Sequence, residues 1–169
     1  EECPICFLPL PIDAGQLLFK SCCGKTICNG CIYAMAMEDI RRGKKNEETG
    51  MCAFCRTLPH SSDEESIKQV ENLMEKGNAL AYNQLAGYYT DGSHGLPQDW
   101  AKVNELYLKA GELGCAEAYY NLGVNYDNGN GVEIDKEKAK HYYEIAAMMG
   151  SVTARHNLGC MDGNAGNLW

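Results

Sequence analysis

The 169-residue sequence predicts two bodies of different construction, a small cysteine-held module followed by an all-α helical-repeat solenoid. Two observations carry this. Eight of the ten cysteines fall in the first 55 residues, six of them as Cys-x-x-Cys pairs, and from residue 78 onward the chain resembles itself at an interval of 36 to 37 residues. A third sets limits: apolar residues make up 45% of the chain, so neither half reads as disordered, yet no apolar run approaches the roughly 20 residues of a spanning helix.

Composition narrows the function classes. The net charge is -8, and it is uneven. Residues 1–60 carry seven basic and seven acidic side chains, against eight and sixteen in residues 61–169. Arg41-Arg42-Gly43-Lys44-Lys45 is the only basic cluster, and it reads as a solvated loop. A nucleic-acid backbone is a poor partner for such a chain. Glu1-Glu2-Cys3 shows neither a basic n-region nor an apolar h-region, and a start at Glu1 with an end at Asn167-Leu168-Trp169 leads us to expect a fragment of a longer protein. The expected location is a reducing interior, cytoplasm or nucleus, with no membrane partner.

The cysteines come as Cys3/Cys6, Cys22/Cys23, Cys28/Cys31 and Cys52/Cys55. Cys-x-x-Cys is a knuckle that aims two thiolates at one Zn²⁺ about 2.3 Å away. Repeated two-residue spacings are not what a secreted disulfide framework favours. The order of pairs, with Cys3-Pro4-Ile5-Cys6, Cys23-Gly24-Lys25-Thr26-Ile27-Cys28 and Cys52-Ala53-Phe54-Cys55-Arg56, resembles the RING finger. That resemblance implies a small zinc-stabilised α+β domain over residues 1–60 with two structural Zn²⁺ ions. It also implies cross-bracing: Cys3, Cys6, Cys28 and Cys31 on one ion, and Cys22, Cys23, Cys52 and Cys55 on the other. Two positions depart from the family pattern. Lys25 stands where most RINGs place a ligating His, so Cys22 supplies the missing thiolate, with His60 as a reserve; Ala53 stands where Pro is common.

A domain this size with few large apolar residues cannot stand on its core, so zinc binding is expected to supply the folding energy. With four protein ligands at each ion no water is activated, and no spare thiolate is left as a nucleophile. What remains is a surface. Residues 32–40 read as one short amphipathic helix, apolar at 32, 33, 35, 36 and 40. In RING ubiquitin ligases this helix and the zinc loops dock a ubiquitin-conjugating enzyme. The resemblance therefore implies Ile5 and Met35 in that groove and Ala53 at its edge. Arg56 matches the "linchpin" that bridges conjugating enzyme and ubiquitin, a task suited to a guanidinium with five donors.

Ser62-Asp63-Glu64-Glu65 is a capping box opening a helix with Ile67, Val70, Leu73 and Met74 at helical spacing and a stop at Gly77, giving a capping or linker helix over 61–77. The segment 78–85 then recurs at 115–122 and at 151–158, while Asp99, Tyr107, Ala110 and Gly114 recur as Asp135, Tyr143, Ala146 and Gly150. Each unit reads as a helix, a Gly-rich turn, and a second helix N-capped by Asp99 or Asp135. Ala81, Ala86, Ala118, Gly123, Ala154 and Gly159 are expected to let helices approach closely, with Tyr89, Tyr107, Tyr126 and Tyr143 filling between them. Cys115 and Cys160 read as buried structural thiols, and His94, His141 and His156 receive no chemistry. Leu122-Gly123, Tyr126, Gly129, Gly131-Val132, Asp135, Lys138-Ala139, Tyr142-Tyr143 and Ala146-Ala147 are similar to Sel1-like repeats, with repeats over 78–114 and 115–150 and a partial one over 151–169. Repeat one departs from that pattern at Leu96-Pro97 and Val103.

The function these resemblances imply is a RING-type E3 ubiquitin ligase, with a ubiquitin-conjugating enzyme, ubiquitin and an unidentified protein substrate as partners. The alternative is a non-catalytic zinc-binding adaptor.

Overall fold

The structure, a computed structural model, describes residues 2–10, 17–43, 51–52, 54–55, 57 and 62–164, without the side chains of Leu17 and of residues 162–164. It divides into two compact units, Glu1–Leu73 and Met74–Trp169.

In the first unit, strands β1 (Leu17–Lys20) and β2 (Lys25–Cys28) pair antiparallel, with Leu17 opposite Cys28 and Lys20 opposite Lys25. The turn between them is Ser21-Cys22-Cys23-Gly24. Gly24 takes φ 67 there, a conformation that costs glycine little, and its N–H donates to the Lys20 carbonyl. Helix α1 (Asn29–Arg41) starts directly after β2, so Cys28 is its N-cap and Cys31 lies in its first turn. Ile27 is fully buried, and a cleft beside it is lined by Lys20, Ile32, Met35, Ala36, Asp39 and Met51.

Helix α1 departs from the sequence reading only in how much of its apolar face is covered. At 100° per residue the apolar residues run as one arc from Met35 through Ile32, Ala36 and Ile40 to Tyr33 and Met37, wider than one contact can cover. Tyr33 and Ile40 are both 68% exposed. The helix therefore has one wide apolar arc, lining the cleft at Ile32 and Met35 and open to solvent at Tyr33, Met37 and Ile40.

Helix α2 (Asp63–Glu75) begins as the capping box directs, the Ser62 hydroxyl accepting from the Glu65 N–H at 3.2 Å. Val70 is buried, and Gly77 (φ 73) closes the turn, its N–H donating to the Met74 carbonyl.

The second unit is helical among its described residues: α3 (Ala79–Asp91), α4 (Trp100–Glu112), α5 (Ala116–Asn128), α6 (Lys136–Met148) and α7 (Val152–Asn164). Each packs on the next in chain order. Asp99 and Asp135 cap α4 and α6 alike, each carboxylate accepting a backbone N–H three residues on at 3.0 Å. Ala139, Tyr143, Ala146 and Ala154 form a buried cluster against which Tyr119, Val124, Tyr126 and Leu158 pack. Gly123 makes this possible. A Cβ there would stand 2.7 Å from the Tyr143 ring, so the absence of a side chain sets the spacing between α5 and α6.

Two small-residue expectations fail on α7. Nothing lies within 4 Å of where a Gly159 Cβ would be, and Cys160 is exposed, not buried. Their counterparts in α5 are covered because α6 follows, whereas no described helix follows α7. Cys115, in contrast, is buried. The sequence also gave no hint of an amide chain between repeats: Asn125, only 4% exposed, donates to Asn104 at 2.8 Å, and Asn104 donates to the Asn130 carbonyl at 3.0 Å.

Candidate metal centres and the surface around them

Two loops in the first unit share one backbone device. The Cys3 N–H donates to the Leu8 carbonyl at 2.9 Å, and the Cys52 N–H donates to the Thr57 carbonyl at 2.8 Å. Each bond folds its Cys-x-x-Cys back on itself and turns both sulphurs to one side. The other pairs are placed by regular structure. Cys22 and Cys23 sit in the hairpin turn, whose tight bend lets neighbouring residues face one centre, and Cys28 and Cys31 sit at the start of α1.

The result is two groups of four sulphurs. Cys3, Cys6, Cys28 and Cys31 lie within 4.8 Å of one another, and so do Cys22, Cys23, Cys52 and Cys55. Cys3 and Cys31 are 3.8 Å apart at Sγ, Cys6 and Cys28 3.9 Å, Cys23 and Cys52 3.8 Å, and Cys22 and Cys55 3.4 Å. These separations are too long for disulfides, and all eight thiols are free. A tetrahedral ion with sulphurs at about 2.3 Å holds them about 3.8 Å apart, so the donor set fits such an ion in size and in chemistry. Both groups could bind a metal.

The electrostatics point the same way. Burial pushes the Cys3 thiol up, but the N–H groups of Cys28, Cys6 and Ile5 outweigh it and hold the thiol down at about 6. At Cys55 desolvation is likewise outweighed, by the Thr57 hydroxyl and N–H and by the Cys22 thiol, again to about 6. Cys31 and Cys22 are driven upward, first by desolvation and then by neighbouring sulphurs, and desolvation also raises Cys23. Four crowded thiols cannot all ionise together unless a cation is added, and a divalent ion supplies that charge.

Lys25, at the position where a ligating His is common, is turned elsewhere, with Nζ 5.5 Å from the centre of the Phe54 ring. Met35 is half-buried in the cleft beside Ile27, while half-buried Ile5 is not part of that cleft's lining. Ala53, Arg56 and His60 lie outside the described residues. Sequence reasoning missed the most exposed apolar side chains of the knuckles: Phe7 (73% exposed, φ 58), Leu8 (64%) and Phe54 (49%). The available signal was a Phe-Leu pair directly after a metal-type knuckle, and a Phe inside another.

Comparison with known proteins settles the second unit. The model of the Sel1 repeat matches residues 79–115 and 116–151. Residues 79–151 are two Sel1 repeats. A solved Sel1 repeat protein from Oxalobacter formigenes is 32% identical, with a TM-score of 0.54 over 56% of this chain and 38% of that one. Among curated relatives, the ERAD-associated E3 ubiquitin-protein ligase component HRD3B of Arabidopsis thaliana is 31% identical over 100 residues, 59% of this chain and 15% of that protein. The E3 ubiquitin-protein ligase DA2 of the same plant is 35% identical over 77 residues, 46% of this chain and 16% of its own length. The chain thus spans about a sixth of the relatives' length. The Sel1 repeats account for the period, the Asp caps and the glycine turns. The match leaves residues 1–78 outside it.

Proposed function

We propose that the first unit is a RING-type zinc domain and that the chain acts as an E3 ubiquitin ligase, its Sel1 repeats holding a protein substrate or partner. The carrying observation is the interleaving of the sulphur groups. The first and third cysteine pairs form one group and the second and fourth the other, with sulphur separations close to a tetrahedral edge. Two relatives named as an E3 ligase and an E3 ligase component support the same reading.

Cys3, Cys6, Cys28 and Cys31 would hold one Zn²⁺ and Cys22, Cys23, Cys52 and Cys55 the other. The ions supply fold, not chemistry. In this reading a lysine amine of the substrate attacks the thioester of a charged conjugating enzyme, an amide forms, and the enzyme's thiolate leaves. This chain contributes position: Ile5, Met35 and Ala53 seat the conjugating enzyme, and Arg56 bridges it to ubiquitin. The thiols require a reducing compartment. Among the described residues no helix is long and apolar enough to cross a membrane.

A non-catalytic adaptor is the second reading, favoured by Lys25, which caps Phe54 where a ligand is common. The protein mixed with ubiquitin, activating enzyme and a panel of conjugating enzymes separates the two. Ubiquitin chains are expected with at least one conjugating enzyme and are lost with Ile5→Ala or Arg56→Ala. Silence across the panel, from protein carrying two zinc ions, would establish the adaptor.

A further inference from the structure

The two sulphur groups differ in access. In the first, Cys3 is fully buried and Cys6, Cys28 and Cys31 are half-buried. In the second, Cys55 is exposed. Its sulphur lies 3.4 Å from that of Cys22, the shortest of the four separations above, and a closure of about 1.4 Å makes a disulfide of them. Cys22 and Cys23 must both point at one centre from adjacent positions in a four-residue turn, so a change at either disturbs the other.

An oxidant must reach a sulphur before it can react, and exposure selects which one. From the geometry we infer that the second sulphur group is a peroxide-sensitive switch, in which Cys55 is oxidised first, Cys22 closes onto it, and this group alone gives up its metal. The inference rests on the zinc reading above.

The chemistry balances. The Cys55 sulphur attacks a hydroperoxide oxygen, the O–O bond breaks, and a sulfenic acid and an alcohol (water, from hydrogen peroxide) result. The Cys22 sulphur then attacks the sulfenic sulphur, an S–S bond forms, and the hydroxyl leaves as water. Two electrons pass from the two thiolates to the peroxide, and two protons from solvent complete the alcohol and the water. The ion loses two of its four donors and is free to leave. A dithiol reverses the step.

The test uses the full chain carrying Cys160→Ser, because Cys160 is also exposed and would consume oxidant without touching either group. Elemental analysis first counts zinc; fewer than two ions per chain sinks the zinc reading itself. Hydrogen peroxide is then added in steps while a coloured chelator reports released zinc and peptide mapping reports disulfides. The expected result is release of one ion per chain, with a Cys22–Cys55 disulfide at the same step. The cysteines of the first group stay closed to alkylation, and dithiothreitol with zinc restores the starting state. Release of both ions in one step, or a first disulfide involving Cys3, Cys6, Cys28 or Cys31, overturns the switch and leaves the zinc reading intact.

Discussion

The two halves of this molecule reach a folded state by opposite routes. Among the described residues up to 57, the buried apolar side chains are Cys3, Ile27 and Cys52, two of them sulphur donors. The repeats instead bury alanines against tyrosines and larger aliphatics, with Tyr143 at 1% exposure and Ala81, Ala86, Ala110, Ala118, Ala139, Ala146 and Ala154 closed off. On the zinc reading, one half is held at two points and the other along a continuous seam. Holding a fold at points leaves its surface free to expose Phe7, Leu8 and Phe54 beside the sulphur donors themselves, while in the repeats Ile134 and Met148 are exposed outside a seam that stays closed. A small domain can therefore offer a larger sticky surface than its core would support, provided something other than the core keeps it folded.

Metal removal tests this contrast with the largest effect. Chelation is expected to unfold the first unit, removing on the order of 10 kcal/mol per structural ion. The repeats should keep their helical signal and thermal midpoint. Circular dichroism and amide NMR dispersion, recorded before and after chelation, check it; loss of the repeats' transition would show that they depend on the metal domain.

A smaller effect sharpens the comparison inside the seam. Gly123→Ala puts a methyl 2.7 Å from the Tyr143 ring, and a destabilisation of about 1–3 kcal/mol is expected from the overpacking. Gly159→Ala meets nothing within 4 Å, and with helix propensity alone at stake should be neutral or stabilise by up to about 1 kcal/mol. Chemical denaturation of both variants reads the difference. Equal costs would mean that α5 and α6 are not as close as described.

The smallest effect concerns Glu117, in the first turn of α5. Desolvation raises its carboxyl above the usual range. A raised acid binds its proton more tightly when folded, so its contribution to stability is present at low pH and is lost as pH rises through the folded value. Glu117→Gln, neutral throughout, should melt higher than the parent at pH 7, with the gap closing towards about pH 4. The positive end of α5 acts in the opposite sense. A variant that melts lower at pH 7 would show that this field outweighs desolvation.

Much of the fold was legible because it is written in local repeats. Asp99 and Asp135 cap helices through carboxylates that accept N–H groups three residues away, which any chain of that spelling does. The capping Ser62 and the closing Gly77 are of the same kind. Pairwise grouping of cysteines at two-residue spacing likewise announces a knuckle wherever it occurs. The errors fell elsewhere. Residues 32, 33, 35, 36 and 40 share one arc of α1, but an apolar residue does not state which neighbour it meets, and Tyr33 and Ile40 lie outside the cleft that Ile32 and Met35 line. Gly159 reads as a close-approach position and Cys160, following a Gly, as a buried thiol, but nothing in that spelling states whether a further helix covers them.

The sequence by itself determined the division into a cysteine-held module and a helical repeat, the repeat's length, its caps and its glycine turns, because each depends on residues a few positions apart. The family resemblance already implied which sulphurs meet; only the tertiary structure decided that Cys55 and Cys160 face solvent while Cys3 and Cys115 do not, and that Asn104, Asn125 and Asn130 join across repeats. Those outcomes depend on what lies opposite a side chain in space, and that partner is set by the packing of the whole unit.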